Sequence, residues 1–339
     1  LCTVPSSRLY QNRQDMNEQP ILEVQNLKNY FSVPAGLVHA VDDISFKLYA
    51  GKTLGVVGES GCGKSTLGRV LIHLLESSAG KIFFEGEDIT HVNRKKLTEL
   101  RKNMQMIFQD PFSSLNPRMS LFQSIAEPLR IMGNFTAQEI EDKVYGIMET
   151  VGLADRLVNT YPHELDGGRR QRIGIARALV MNPKFIVCDE PVSALDVSIQ
   201  AQILNLMCDI RDERKLTYIF VTHDLSVVKY ISDEILVMYL GQMVEKAPTE
   251  ELFEHRLHPY TKALLSAVPL PDIDHERKRI ELKGELTSPI DPKPGCRFAS
   301  RCPYAEERCF KENPVNEEVR PNHYVACHKT RELNNLKEV

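Results

Sequence analysis

No stretch of this 339-residue chain approaches the roughly 18 consecutive apolar residues that a membrane-spanning helix requires. Nor does the start of the sequence read as a secretory leader. Leu1 to Pro20 are polar and have no apolar core, so a disordered extension is expected there. Leu1 is not a usual start, and Met16 opens a more plausible beginning just ahead of the first strand. A cytoplasmic setting follows as the expectation. An excess of charge of one sign is also absent. The formal net charge of −4 makes no electrostatic case for a nucleic-acid partner. Internal repeats are not found either. What is present is ordinary: 42% hydrophobic and 26% charged residues, in a chain long enough for one large domain with an appendage or two modest ones.

Periodicity divides the chain. Ile21 to Asn26 and Val38 to Leu48 alternate apolar and polar positions, as half-buried antiparallel strands do. Thr53 to Val57 is a short buried strand entering a glycine-rich turn, and Ser65 to Leu75 reads as a helix. A strand pair is expected around Lys81 to Ile89, and another strand at Met104 to Phe108. From Pro111 to about Met181 the pattern is helical, with segments Leu121 to Met132, Thr136 to Val151 and Arg169 to Met181. Buried strands return at Phe185 to Cys188 and Ile219 to Thr222 around a helix from Ser198 to Arg214. This alternation predicts a mostly parallel sheet with crossover helices. Beyond about residue 250 the core pattern fades. A helix near Pro259 to Ala267 leads into a linker rich in proline, with Pro269, Pro271, Pro289, Pro292 and Pro294.

Two patterns carry phosphate chemistry. Gly58-Glu-Ser-Gly-Cys-Gly63-Lys64-Ser65 follows a buried strand and opens a helix, the setting in which backbone N–H groups cradle phosphate oxygens. Lys64 would neutralise β- and γ-phosphate charge, and Ser65 would ligate Mg²⁺. Phe185-Ile-Val-Cys-Asp189-Glu190 then delivers two carboxylates at the C-terminal end of a buried strand, where open α/β sheets bind ligands. Asp189 would hold Mg²⁺ and Glu190 would orient or activate the attacking water.

Between them, Tyr161-Pro-His-Glu-Leu165-Asp166-Gly167-Gly168-Arg169-Arg170-Gln171-Arg172 resembles the signature motif of ATP-binding-cassette proteins. Gln109 matches that family's Q-loop glutamine, Ser193-Ala-Leu-Asp196 its D-loop, and Thr222-His223-Asp its switch histidine. The resemblance spans about residues 20 to 340. It implies a P-loop NTPase of RecA-like α/β type, with an antiparallel β subdomain, a helical subdomain inserted at about 111–181, and a small cysteine-containing C-terminal extension. The implied division is 1–20 extension, 21–250 nucleotide-binding domain and 251–339 C-terminal extension. Implied roles follow by position. Phe31 (or its neighbour Tyr30) stacks on adenine, and Gly58, Glu59, Ser60, Gly61, Cys62, Gly63, Lys64, Ser65 and Thr66 hold the phosphates of ATP. Ser65, Gln109 and Asp189 bind Mg²⁺, while Glu190, His223 and Gln109 serve catalysis. Asp166, Gly167 and Gly168 face the ATP of a second subunit.

Gln109-Asp-Pro-Phe-Ser-Ser-Leu-Asn-Pro-Arg118 and the segment from His258-Pro-Tyr-Thr-Lys through Pro271 are similar to dipeptide and oligopeptide importer ATPases, and the P-loop wording to the F-type member of their D/F pair. Nickel importers share much of this wording. The resemblance implies two membrane-spanning permease subunits, a D-type ATPase partner in a heterodimer, an extracellular or periplasmic binding protein reached indirectly, and a peripheral place on the cytoplasmic face of the membrane. A soluble cassette ATPase usually carries two cassettes or a long coiled coil, and neither is seen.

Cys296-x5-Cys302-x6-Cys309-x17-Cys327 gathers four thiols. In a reducing compartment such a group suggests metal before disulfides, and the spacing is unlike tight zinc pairs. The segment resembles the iron–sulfur tail of dipeptide-importer ATPases, implying a 4Fe–4S cluster; zinc and unmetallated thiols stay open as alternatives. His323 and His328, which flank Cys327, read as surface residues. One departure stands out. Asp166 and Arg169 replace the serine and glutamine of the family's Leu-Ser-Gly-Gly-Gln. An ionised Asp166 can only accept hydrogen bonds and would face a polyanion, yet it also suits a helix N-cap.

Overall fold

The computed structural model describes residues 19–133, 135–267, 280, 282 and 288–336. Nearly all of the expected N-terminal extension, Cys2, Pro269 and Pro271 lie outside the described residues. In chain order, β1 (Leu22–Val33) and β2 (Gly36–Leu48) form an antiparallel hairpin with Phe31 opposite Val38. β3 (Thr53–Val57), buried throughout, runs into α1 (Lys64–Leu71). β4 (Ala79–Phe84) and β5 (Glu87–Asp88) are followed by α2 (Arg94–Asn103) and β6 (Met104–Ile107). Four helices come next: α3 (Pro111–Ser114), α4 (Leu121–Met132), α5 (Ala137–Thr150) and α6 (Gly167–Leu179). β7 (Phe185–Asp189), α7 (Val197–Arg214), β8 (Thr217–Val221), α8 (Leu225–Ile231), β9 (Glu234–Tyr239) and β10 (Gln242–Pro248) complete the middle of the chain. Then come α9 (Thr249–Glu254), α10 (Pro259–Ser266), β11 (Glu317–Arg320), β12 (His323–Val325) and α11 (Thr330–Leu333).

These strands make two sheets. An antiparallel sheet runs β2-β1-β4-β5, and a larger one runs β11-β12-β10-β9-β3-β8-β7-β6. From β9 to β6 the larger sheet is parallel, while β10, β12 and β11 extend it antiparallel. Parallel strands covered on both faces need apolar side chains in both directions. β7 and β8 show this. Phe185, Val187, Ile219 and Val221 pack with Leu22, Val24 and Ile44 of the antiparallel sheet. Ile186, Cys188, Tyr218 and Phe220 pack on the opposite side with Ile125, Met148, Ile173 and Met207 from the helices.

Local chemistry fixes the helix ends. Ser120 with Gln123 and Thr136 with Glu139 form reciprocal capping boxes that start α4 and α5. α4 stops at Gly133, whose φ of 70° is the left-handed conformation glycine tolerates best.

The C-terminal region departs from the sequence expectation of a fading core. β12 pairs with β10, so the tail prolongs the main sheet. Phe298, 1% exposed, packs edge-on against Tyr239 at 5.2 Å and lies 5.5 Å from Tyr260. His323 is not a surface residue: it is fully buried, with Nε2 2.8 Å from Glu245 and Nδ1 3.2 Å from Glu251. Two carboxylates from β10 and α9 hold this imidazole inside, and neither is near it in sequence. His328 is half-buried, its Nε2 2.9 Å from the Glu312 carbonyl.

Candidate active site

β3 delivers the loop from Gly58 to Ser65 to the C-terminal edge of the parallel strands. Glycine is needed at both ends of that loop. Gly58 has φ +152° and a Cβ there would sit 2.2 Å from the Met238 carbonyl oxygen; at Gly63, φ +104°, it would sit 1.9 Å from that of Ala40. Gly63 is also the N-cap of α1 and supplies no side chain to the helix start. The N–H groups of the first turn therefore face the loop's concavity, with the positive end of the helix dipole behind them. Lys64 is 5% exposed and its ammonium donates to the carbonyls of Gly58 (2.9 Å) and Glu59 (3.0 Å). The third of its donors is directed at Cys62 Sγ, 3.9 Å away, a weak contact that a phosphate oxygen can displace.

Ser65 Oγ donates to Asp189 Oδ1 at 2.6 Å. Asp189 is 1% exposed at the end of β7, and Arg69 Nη2 lies 3.5 Å from its other oxygen. Arg69 was not singled out from the sequence; its position one turn after Ser65 on α1 was the available signal. Glu190 follows in left-handed backbone conformation at φ 46°, held there by its N–H to Val221 carbonyl bond of 2.9 Å. Such a φ costs a non-glycine residue about 1 kcal/mol, and it turns the carboxylate out of the strand. Gln109 Nε2 donates to Glu190 Oε2 at 2.8 Å and His223 Nδ1 lies 3.2 Å from Oε1. The ends of β6, β7 and β8 thus meet at one carboxylate.

Other sequence-predicted residues fall where the structure makes distinct use of them. Tyr30 is occupied: its hydroxyl bonds to Asp42 and its ring stacks on His39 at 4.0 Å. Phe31, next along β1, points to the opposite face of the hairpin and is left as the candidate base-stacking ring. Cys62 is buried, and burial raises its thiol pKa. Asp166 caps α6, accepting from Arg169 N–H at 2.8 Å, while Arg169 Nη1 lies 3.4 Å from its other oxygen. Gly168 fits close to α7, since a Cβ would meet Ile199 Cγ2 at 2.8 Å.

The four C-terminal cysteines converge. Cys296, Cys302, Cys309 and Cys327 line one cavity of about 20 Å³ with His258 and His328. Burial pushes the Cys296 thiol up to about 12 and also raises Cys302 and Cys327, with neighbouring cysteines adding to the effect. Among the described residues, however, no group of three or more His, Cys, Asp or Glu is arranged to hold a metal ion, so the expected metal site is not preformed. A cavity of that size holds about one water.

A glycine-rich loop opening a helix, a Ser–Asp pair beside it and a carboxylate bracketed by Gln and His form an arrangement suited to nucleotide hydrolysis. Comparison with known proteins agrees. Residues 41–193 match the ABC transporter family and residues 244–309 match the oligopeptide/dipeptide transporter C-terminal region. The chain belongs to the ATP-binding-cassette transporter ATPases, which bind and hydrolyse ATP. More particularly, it is 51% identical to the oligopeptide transport ATP-binding protein AppF of Bacillus subtilis (strain 168), over 92% of this chain and 98% of that one. It is 50% identical to the oligopeptide transport ATP-binding protein OppF of Salmonella typhimurium, over 91% and 96%. Among solved structures, cbiO1 of Clostridium perfringens, part of the transporter complex cbiONQ, is 29% identical with a TM-score of 0.63, covering 70% of this chain and 92% of that one. No helix among the described residues is long and apolar enough to cross a membrane.

Proposed function

We propose that this chain is the F-type nucleotide-hydrolysing subunit of an importer for oligopeptides, seated on the cytoplasmic face of the membrane. The observation that carries the hydrolytic role is Glu190, fixed between Gln109 and His223 at the mouth of the Ser65–Asp189 pair. Peptide as the cargo is supported by the C-terminal region match and by relatives described as oligopeptide transport ATP-binding proteins. In this reading Phe31 stacks on the base, and Gly58 to Thr66 hold the triphosphate. Lys64 contributes the donor that otherwise points at Cys62 Sγ. Glu190 orients the attacking water, and His223 keeps that carboxylate in place.

The oxygen donors of Ser65 and Asp189 suit a hard divalent cation, with Gln109 nearby. Mg²⁺ bound there would neutralise charge on the β- and γ-phosphates. Gln109 lies two residues past the end of β6 and just ahead of the helices of 111–181, so the position of Glu190 is tied to the surface proposed to meet the two permeases. The division into a cassette of 21–250 and a tail of 251–339 belongs to the same reading. So do a D-type ATPase partner and a binding protein that delivers the peptide.

In the tail, four converging thiols are the donor set of a thiolate-held metal group, 4Fe–4S before zinc. The cavity must widen to admit it. Its role would be to staple the tail, not to take part in hydrolysis.

The test is an importer assembled with its permeases in vesicles. ATP hydrolysis stimulated several-fold by oligopeptide-loaded binding protein is the expected result. Stimulation by a nickel chelate and not by peptide would overturn the cargo assignment.

A further inference from the structure

Glu59 is the one carboxylate inside the phosphate loop, where an unneutralised negative charge would repel a triphosphate. It is held at two points by residues from far along the chain. Its N–H donates to the Tyr260 hydroxyl at 2.9 Å, and Tyr260 is fully buried on α10. Its carboxylate receives Arg301 Nη1, 3.1 Å from Oε1 and 2.9 Å from Oε2. The pair is mostly desolvated, with side chains 10% and 23% exposed for Arg301 and Glu59. Tyr239 supports the arrangement: its hydroxyl lies 3.4 Å from Arg301 Nη1, and its ring meets Tyr260 edge-on at 4.7 Å. The Glu59 carbonyl in turn accepts from the Lys64 ammonium at 3.0 Å, so moving Glu59 moves Lys64.

Arg301 immediately precedes Cys302, and Arg297 immediately follows Cys296. Arg297 bonds to the Leu240 carbonyl and to Asp42 of β2. The cysteine-bearing segment therefore grips both the phosphate loop and the hairpin that carries Phe31.

We infer that Arg301, supplied by the C-terminal region, is a positioning residue of the nucleotide site: it sets ATP affinity by neutralising Glu59, with Tyr260 holding the loop backbone. This rests on the reading of Gly58 to Thr66 as the triphosphate cradle. It makes nucleotide affinity depend on the folded tail, which no cassette motif contains. The repulsion that Arg301 removes acts on binding and not on the water-orienting step, so kcat is spared.

The experiment is titration of the full chain with Mg²⁺-ATP, alongside kcat at saturating ATP. Arg301→Gln is expected to weaken binding about tenfold, the scale of one charge pair a few ångströms apart in partly desolvated surroundings, with kcat within about twofold. Arg301→Lys keeps most of the affinity. In a Glu59→Gln background, Arg301→Gln should change binding by less than about twofold, and added salt should shrink the tenfold effect in the parent background. If the double variant binds as poorly as Arg301→Gln alone, the arginine acts through packing and the inference fails. It fails equally if Arg301→Gln binds like wild type while Lys64→Ala does not. Undiminished ATP binding by Lys64→Ala would instead remove the cradle reading itself.

Discussion

The Gln109 side-chain amide lies 2.8 Å from the Glu190 carboxylate, joining the end of β6 to the end of β7. One hydrogen bond thus couples the residue proposed to orient water with the strand end that leads into the helices. Gln109→Ala removes it and frees one oxygen of Glu190. Loss of one such bond to a charged group, about 1.5 kcal/mol, corresponds to roughly tenfold in kcat. In assembled importer the variant should also lose most of its stimulation by peptide-loaded binding protein. An unchanged stimulation ratio would show that coupling runs elsewhere.

Asp166 carries two consequences that can be separated. As the N-cap of α6, its replacement by alanine should cost about 1 kcal/mol in stability, measured by denaturant melts, whereas serine, also a good cap, should be nearly neutral. As the residue standing in for a serine hydroxyl donor, it should hold back hydrolysis wherever it faces a γ-phosphate. Asp166→Ser with Arg169→Gln is expected to raise ATP hydrolysis by the isolated chain about 30-fold. Equal rates before and after the change would leave Asp166 as a helix cap alone.

Much of this arrangement was legible because the information is local. The glycine spacing from Gly58 to Gly63 announces the loop, the fully apolar run ending at Asp189 announces a strand covered on both faces, and the capped segment Leu121–Met132 falls where periodicity placed it. What the sequence hid depends on partners far away. β11 and β12 are short, and they become strands because β10 offers an edge to β12, which in turn offers one to β11. His323 looked like a surface residue because Glu245, 78 positions earlier, cannot be paired with it by inspection. The Arg301–Glu59 contact spans 242 positions and belongs to no motif. β9 and β10 did leave a signal that was missed: the apolar run Ile235 to Tyr239 ends at Leu240-Gly241, both with positive φ, as a tight hairpin turn requires.

His258 gives the fold a pH dependence. It is buried and caps α10 by accepting from Tyr260 N–H at 3.0 Å. Burial is the main cause pulling its pKa down to about 4, with Lys262 adding to the shift and Glu245 opposing it. The folded chain therefore binds this proton less readily than the unfolded chain, whose histidine titrates near 6.5. Its contribution to stability is complete above about pH 6.5 and is lost as pH falls toward about 4, up to about 3 kcal/mol. His258→Asn keeps a capping side chain and should flatten this part of the stability curve between about pH 6.5 and 5. Parallel pH profiles for variant and parent would assign the dependence to other groups.

Iron and acid-labile sulfide should accompany the full chain when it is purified without oxygen, and should be lost on replacing Cys309 with serine. Stoichiometric zinc without iron, or neither, in such material would reverse the proposed metal group of the tail.

The most direct measurement is the fate of ATP on Glu190→Gln. In the proposed reading, binding rests on the loop, Lys64 and the Ser65–Asp189 pair, whereas water orientation rests on the carboxylate, so the two should separate. In the assembled importer, hydrolysis is expected to fall at least about 100-fold while the dissociation constant for Mg²⁺-ATP stays within about threefold, with nucleotide trapped in a closed pair of subunits. Hydrolysis retained within a few fold of wild type would contradict the assignment of Glu190 and, with it, the reading of how this site turns ATP over.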